Sequence, residues 1–168
     1  EPLTMHAAQV LYDSVKENDL VYILVGFVLL PHRVPEMDGT VSAMLLARAL
    51  VMAFNAKPVI VCPSDSVQAI EKCAAVVGLH IYEDLDTVQE LPLSMGVVAF
   101  TKDKAAAHAQ AAELAARKPA AVVSVEASGA NTLGVYHNAV GKDVTEMQAK
   151  SEALWDLLRT QGVPNIAI

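Results

Sequence analysis

Apolar, β-branched runs alternate with helical patterns along nearly the whole chain, and this alternation constrains the fold more than any other feature. Residues 20–27, 57–62, 95–100 and 119–126 read as buried strands, with shorter candidates at 79–82 and 165–168. Between them, residues 6–16, 40–54, 65–77, 104–117 and 143–160 carry helical periodicity. The 40–54 segment is apolar almost all round, which predicts a helix covered on most sides. The 104–117 segment is alanine-rich and has high intrinsic helix propensity. Asp143 stands three residues before Glu146, which predicts a capping box at the start of the last helix. Strands and helices in alternation imply right-handed crossovers and a parallel sheet with helices on both faces. The expected fold is therefore α/β: one domain over residues 1–168, three-layered and doubly wound, around a mostly parallel sheet of five or six strands.

Composition narrows the function classes. At 168 residues and 54% apolar, the chain can bury a full core and is not disordered. Its mean hydropathy is +0.37, yet its longest apolar run, residues 20–30 with Gly26 counted, falls short of the roughly 20 residues of a spanning helix. The formal charge is −7 and there is no lysine–arginine run, so neither nucleic acid nor an acidic membrane surface is an expected partner. The two cysteines, Cys62 and Cys73, are expected as reduced thiols, which points to an intracellular compartment. The chain begins with Glu1, so an upstream segment is expected, and the domain is expected to be a fragment of a longer chain.

In doubly wound sheets the working site lies beyond the carboxyl ends of the strands, where chain order reverses. Two long loops are expected there, residues 29–39 (LLPHRVPEMDG) and 127–142 (ASGANTLGVYHNAVGK). The glycine fingerprint of dinucleotide-binding folds is missing, because only Gly26 and Gly39 follow the first strand. The fold is thus Rossmann-like without that fingerprint. Residues 134–143 only approximate a phosphate-binding loop: the spacing of Gly134 and Gly141 is too long, and Asp143 stands where Ser or Thr is needed after Lys142. What remains is a constellation. Glu36 and Asp38 lie just before a predicted helix, where acids satisfy free backbone donors. Glu126 ends an apolar strand, a costly place for an unpaired carboxylate. Tyr136 and Asn138 sit on a glycine-hinged loop.

These residues, in this order, resemble the C-terminal domain of D-glutamate cyclase-like proteins. Gly26-Phe27, the stretch from Pro35 to Ala43, Leu46 to Leu50, Val125 to Gly129, and Gly134-Val-Tyr136-His-Asn138-Ala-Val-Gly141-Lys-Asp143 follow its pattern across nearly the whole chain. Three departures stand out. Met37 replaces a threonine, Thr40-Val41 replaces a proline pair, and Ala127 replaces an arginine able to hold a carboxylate bidentately. Such domains also tend to continue into a glycine-rich acidic loop, which would begin about where this chain stops at Ile168.

The resemblance implies reversible closure of D-glutamate to 5-oxo-D-proline with loss of water, and a divalent cation, manganese, as cofactor. Hard oxygen ligands suit such an ion. Asp38 and Glu126 are then expected in the metal or base role and Tyr136 as proton donor to the leaving oxygen. Asn138, Arg33, Lys142 and the backbone amides near Gly39 are expected to bind a small acidic substrate. The same resemblance implies mitochondrial matrix or cytoplasm. Two other readings remain open: a non-catalytic metabolite-binding module attached to another domain of the same chain, and a scaffold whose apolar 40–54 helix forms a homodimer interface.

Overall fold

Strand β1 (Leu20–Leu24) is Leu-Val-Tyr-Ile-Leu, apolar at every position, and only a site covered on both faces can bury it. The computed structural model, which describes residues 2–168, supplies that site at the centre of a six-stranded sheet. The other sheet strands are β4 (Lys57–Pro63), β5 (His80–Tyr82), β6 (Ser94–Phe100), β7 (Ala121–Ser124) and β8 (Asn165–Ala167). Their spatial order is β5-β6-β4-β1-β7-β8, and every pairing is parallel. A short antiparallel hairpin, β2 (Val28–Leu29) with β3 (Val34–Pro35), follows β1.

Alternate residues of β1 serve opposite faces, as the pleat requires. Val21 and Ile23 pack with Met44 and Leu50 of α2 (Met37–Phe54), with Ile70 and Ala74 of α3 (Val67–Val76), and against Val10 and Leu11 of α1 (Leu3–Ser14). Leu20, Tyr22 and Leu24 pack with Leu85 and Val88 of α4 (Leu85–Glu90), Ala107 and Leu114 of α5 (Lys104–Ala116), and Leu154 and Leu158 of α6 (Glu152–Thr160). Each such aliphatic side chain contributes roughly 1.5–3 kcal/mol by leaving water. The Tyr22 hydroxyl donates to Leu114 O at 2.8 Å, so its burial leaves no orphan. Helix α2 is long and apolar enough, by length and composition, to span a membrane. Here seven of its residues, from Gly39 to Val51, are buried, while Met37, Val41, Leu45 and Met52 remain exposed.

The architecture matches the doubly wound expectation, and four local differences have physical causes. The 20–27 strand stops at Leu24 because Gly26 adopts φ +106° and turns the chain. The 119–126 strand stops at Ser124, and Glu126 takes a left-handed φ of 49°. The helix expected over 143–160 forms only at Glu152–Thr160. The Asp143 carboxylate finds a nearer donor, accepting from Thr145 N at 2.8 Å, so the capping box with Glu146 does not form. A single 3-10 turn (Thr145–Met147) and an extended, buried run of Gln148, Ala149 and Lys150 take its place. Helix α4 was not expected; Asp84 caps it by accepting from Asp86 N and Thr87 N. Both cysteines are free, and burial pushes the Cys62 thiol up to about 12.

Gly26 is the tightest point of this frame. A Cβ there would lie 2.7 Å from Pro63 Cδ and 2.9 Å from Ser66 Oγ, on a backbone that L side chains rarely adopt. Gly26→Ala is therefore expected to destabilise the fold by about 3 kcal/mol or more, combining overpacking with backbone strain. Urea denaturation will show this as a lowered midpoint at unchanged slope; a midpoint equal to that of the wild type would refute it.

Candidate functional site

From β1 the chain runs outward through β4 to β5 and β6, then returns to β7 on the other side of β1. Chain order reverses at β1 and β7, and the region beyond their carboxyl ends is where sheets of this kind form a binding crevice. Two segments border it. Residues 25–36 leave β1 through the hairpin and enter α2 at Glu36; residues 125–151 leave β7 and enter α6.

These segments bring three carboxylates together. Ligand oxygens of Glu36, Asp38 and Glu126 all lie within 4.8 Å of one another. Local sequence explains each position. Glu36 is the N-cap residue of α2, fixed by its N–H donating to Phe27 O at 2.8 Å and by Thr40 Oγ1 donating to its carbonyl at 3.0 Å. Asp38 lies in the first turn of α2, inside the helix rather than capping it, and its Oδ1 accepts the Gly39 N–H at 2.9 Å. Glu126 reaches the pair because the left-handed turn after β7 swings its side chain toward α2. Gly39 makes room for it: a Cβ at Gly39 would stand 3.0 Å from Glu126 Oε2 and 3.1 Å from its Cβ. The amide of Gly39 thus serves the acidic group.

Among the described residues, no lysine, arginine or histidine forms an ion pair with these three acids. The positive end of the α2 dipole supplies part of the compensation. The rest shows as repulsion: the Asp38 charge, then partial desolvation, raises the pKa of Glu126 above the ordinary carboxylate range, with Glu36 adding to it. Three hard, exposed or half-buried oxygen donors short of positive charge fit a divalent cation.

The other expected residues have local partners of their own. Tyr136 is 1% exposed, packed with Val28, Val144 and Met147, with Lys150 Nζ 4.4 Å above its ring. Its hydroxyl lies beside the Glu152 carboxylate without hydrogen-bond alignment, and both oxygens are buried without a partner. Burial, then Glu152, raises its pKa. The Asn138 side-chain oxygen accepts from Val140 N and Lys142 N, closing its own loop. Arg33 and Lys142 line a cavity of about 550 Å³ together with Leu30, Val144 and Glu146.

Residues 3–168 match the family model described as D-glutamate cyclase-like, C-terminal. The chain belongs to that family. Comparison with curated proteins gives no match. Two residues at this crevice gave little sign of their place in the sequence. Glu36 was visible as a second acid beside Asp38, but only the fold shows that all three carboxylates share one space. Gln148 looked like one polar position in a helix; it is fully buried, and its amide joins the two segments that border the crevice.

The sign of the Glu126 effect follows from linkage. A carboxyl whose folded pKa is raised binds more protons folded than unfolded, so stability falls as pH rises through the ordinary glutamate range and stays lowered above the folded value. Glu126→Gln is expected to raise the melting temperature of metal-free protein at pH 7. The difference should fade as pH falls below the ordinary glutamate range, where the wild-type carboxyl becomes protonated in both states. Calorimetry across this range decides it, and a Glu126→Gln protein less stable than wild type at pH 7 would contradict the repulsion.

Proposed function

We propose that this domain binds a divalent cation through Glu36, Asp38 and Glu126 and catalyses reversible dehydrative cyclisation of D-glutamate to 5-oxo-D-proline. The observation that carries the reading is the convergence of three like charges from distant chain segments, without an ion-pair partner, in a member of this family. Repulsion of that kind is costly to keep unless a cation or a proton occupies the site. Manganese is the favoured ion, because the ligands are oxygen only and the family resemblance points to it.

The chemistry sets clear demands. The substrate nitrogen attacks the γ-carboxyl carbon, a C–N bond forms, a C–O bond breaks, and the oxygen departs as water. Two protons must travel from the ammonium nitrogen to that oxygen. A bound cation would polarise the carboxylate and stabilise charge on the leaving oxygen. The protein's own groups hold the substrate and handle protons. Glu126 has two carboxylate oxygens, so one would face the cation while the other is suited to accept a proton from the nitrogen and return it to the leaving oxygen. Asp38 is held by Gly39 N–H and keeps its charge directed at the same space. Ring closure is intramolecular, so fixing the extended chain of the substrate removes several kcal/mol of barrier by orientation alone. Arg33 and Lys142, which form no ion pair among the described residues, sit three residues before Glu36 and at the end of the Tyr136 loop, and they are proposed to attract an acidic substrate toward the crevice. Tyr136, buried with its hydroxyl turned to Glu152, is read as holding that loop in place.

The test is product formation. Purified domain incubated with D-glutamate and Mn²⁺ is expected to form 5-oxo-D-proline, detected by chiral chromatography, and Glu126→Gln is expected to lower turnover by about a hundredfold or more. Mn²⁺ is also expected to raise the melting temperature of the wild type and not of Glu126→Gln. Binding of D-glutamate with no turnover would replace the enzyme reading by a metabolite-binding module, and absence of both would refute the proposal.

A further inference from the structure

The three acids depend on two chain segments that do not pair with each other, one carrying Glu36 and Asp38 and the other Glu126. Beyond the apolar packing of Val28 on Tyr136, Val144 and Met147, one side chain among the described residues hydrogen-bonds across them. In hairpin β2–β3, the Glu36 N–H bonds Phe27 O, which makes 27 and 36 a hydrogen-bonded pair. Val28 and Pro35 are the next pair, and in an antiparallel ladder bonded and non-bonded pairs alternate. The N–H and C=O of Val28 therefore point away from β3, and Pro35 occupies a place where no N–H is needed. Val28 is buried, so both of its outward groups require partners.

Gln148 supplies both. Its Oε1 accepts from Val28 N at 3.2 Å, and its Nε2 donates to Val28 O at 3.2 Å. The side-chain amide thus acts as one residue of a missing neighbouring strand. The same Oε1 also accepts from Ser128 Oγ at 3.0 Å, and Ser128 stands two residues after Glu126. Gln148 is 0% exposed, on the extended run that replaces the expected helix start. The amide orientation is fixed by Val28, whose N–H faces an oxygen and whose C=O faces a nitrogen.

We infer that Gln148 is a positioning residue: its buried amide ties the hairpin leading into Glu36 to the turn that carries Glu126, and so sets the spacing of the three carboxylates. The consequence for a cation rests on the reading above that these acids hold one. The geometric part stands on the hydrogen bonds alone. An apolar replacement leaves Val28 N–H, Val28 C=O and the Ser128 hydroxyl without partners in a dry site, so the two segments separate or admit water.

The experiment compares Gln148→Leu, the milder Ser128→Ala, and Lys57→Met with wild type. Lys57 is a buried residue at the opposite end of the sheet, where its Nζ donates to Leu91 O and Ser94 Oγ, so its replacement lowers stability without touching the crevice. Two readouts are taken well below the melting temperature: Mn²⁺ affinity by electron paramagnetic resonance, and amide hydrogen exchange by NMR. Gln148→Leu is expected to weaken Mn²⁺ about tenfold or more, as loss of outer support does at metal sites, with Ser128→Ala weakening it less and Lys57→Met leaving it unchanged. Exchange at the Glu36 and Glu126 amides is expected to rise in Gln148→Leu and stay at the wild-type rate in Lys57→Met. Wild-type Mn²⁺ affinity in Gln148→Leu, or an equal loss in Lys57→Met, overturns the inference and leaves the cation reading intact. If wild type itself binds no Mn²⁺, the cation reading fails, and the exchange rates alone decide: unchanged rates at Glu36 and Glu126 in Gln148→Leu overturn the positioning role. Should Gln148→Leu not fold, Ser128→Ala carries both readouts, and wild-type behaviour in it overturns the inference.

Discussion

Parallel pairing of β1 on both of its edges is the constraint from which the rest follows. With β4 on one side and β7 on the other, β1 cannot meet water at an edge, and helices from both crossovers cover its faces. The chain must leave its carboxyl end within a few residues, past Pro63 and Ser66, and Gly26 is the residue that lets it do so. That turn sends the hairpin across the top of the sheet and delivers the N-terminus of α2 next to the end of β7. The acidic group is a product of this route, since neither of the segments that compose it is placed by contacts of its own carboxylates.

The layer architecture was legible because it rests on periodicity. The β1, β4, β6 and β7 runs are apolar enough to be strands buried on both faces, and the alanine-rich α5 has only one reading. The short elements were not legible. Helix α4 is six residues long, its signal lies in Asp84 as a cap, and its apolar positions Leu85 and Val88 are too few to show a period. The hairpin has two residues per strand, below what alternation can reveal. The last helix was read too early because Asp143 and Glu146 have the spacing of a capping box, while in the folded chain Asp143 bonds Thr145 within its own turn. Local hydrogen bonds of Asp compete with helix start signals, and sequence spacing does not say which prevails.

The site was half legible for a related reason. Asp38 and Glu126 were conspicuous as acids beside apolar runs, and the topology rule placed both at carboxyl ends of neighbouring strands. Tyr136 and Asn138 were conspicuous as polar residues on a glycine-hinged loop, yet Asn138 closes that loop and Tyr136 anchors it against Met147 and Lys150. A polar residue in a long loop can serve the loop or the ligand, and residue type alone does not separate the two. Gln148 was illegible because its importance comes from Val28, whose unpaired backbone groups exist only once the hairpin has formed.

The Glu126 region combines features that reduce stability. Glu126 is a non-glycine residue in a left-handed conformation, its charge is repelled by Asp38 and Glu36, and its side chain lies 3.0 Å from where a Cβ of Gly39, in the first turn of a helix, would stand. Glycine within a helix costs about 1 kcal/mol relative to alanine, and left-handed backbone at a bulky residue adds strain. A fold selected for stability alone would relax all three at once with a glycine at 126 and an alanine at 39. Here the rest of the molecule compensates: β1 is fully buried, the Glu36 N-cap is bonded on both sides, and the amide of Gln148 holds the hairpin. In the reading proposed above, this resting repulsion would be relieved by what the site binds, and for three carboxylates that form no ion pair among the described residues that is a cation or a proton.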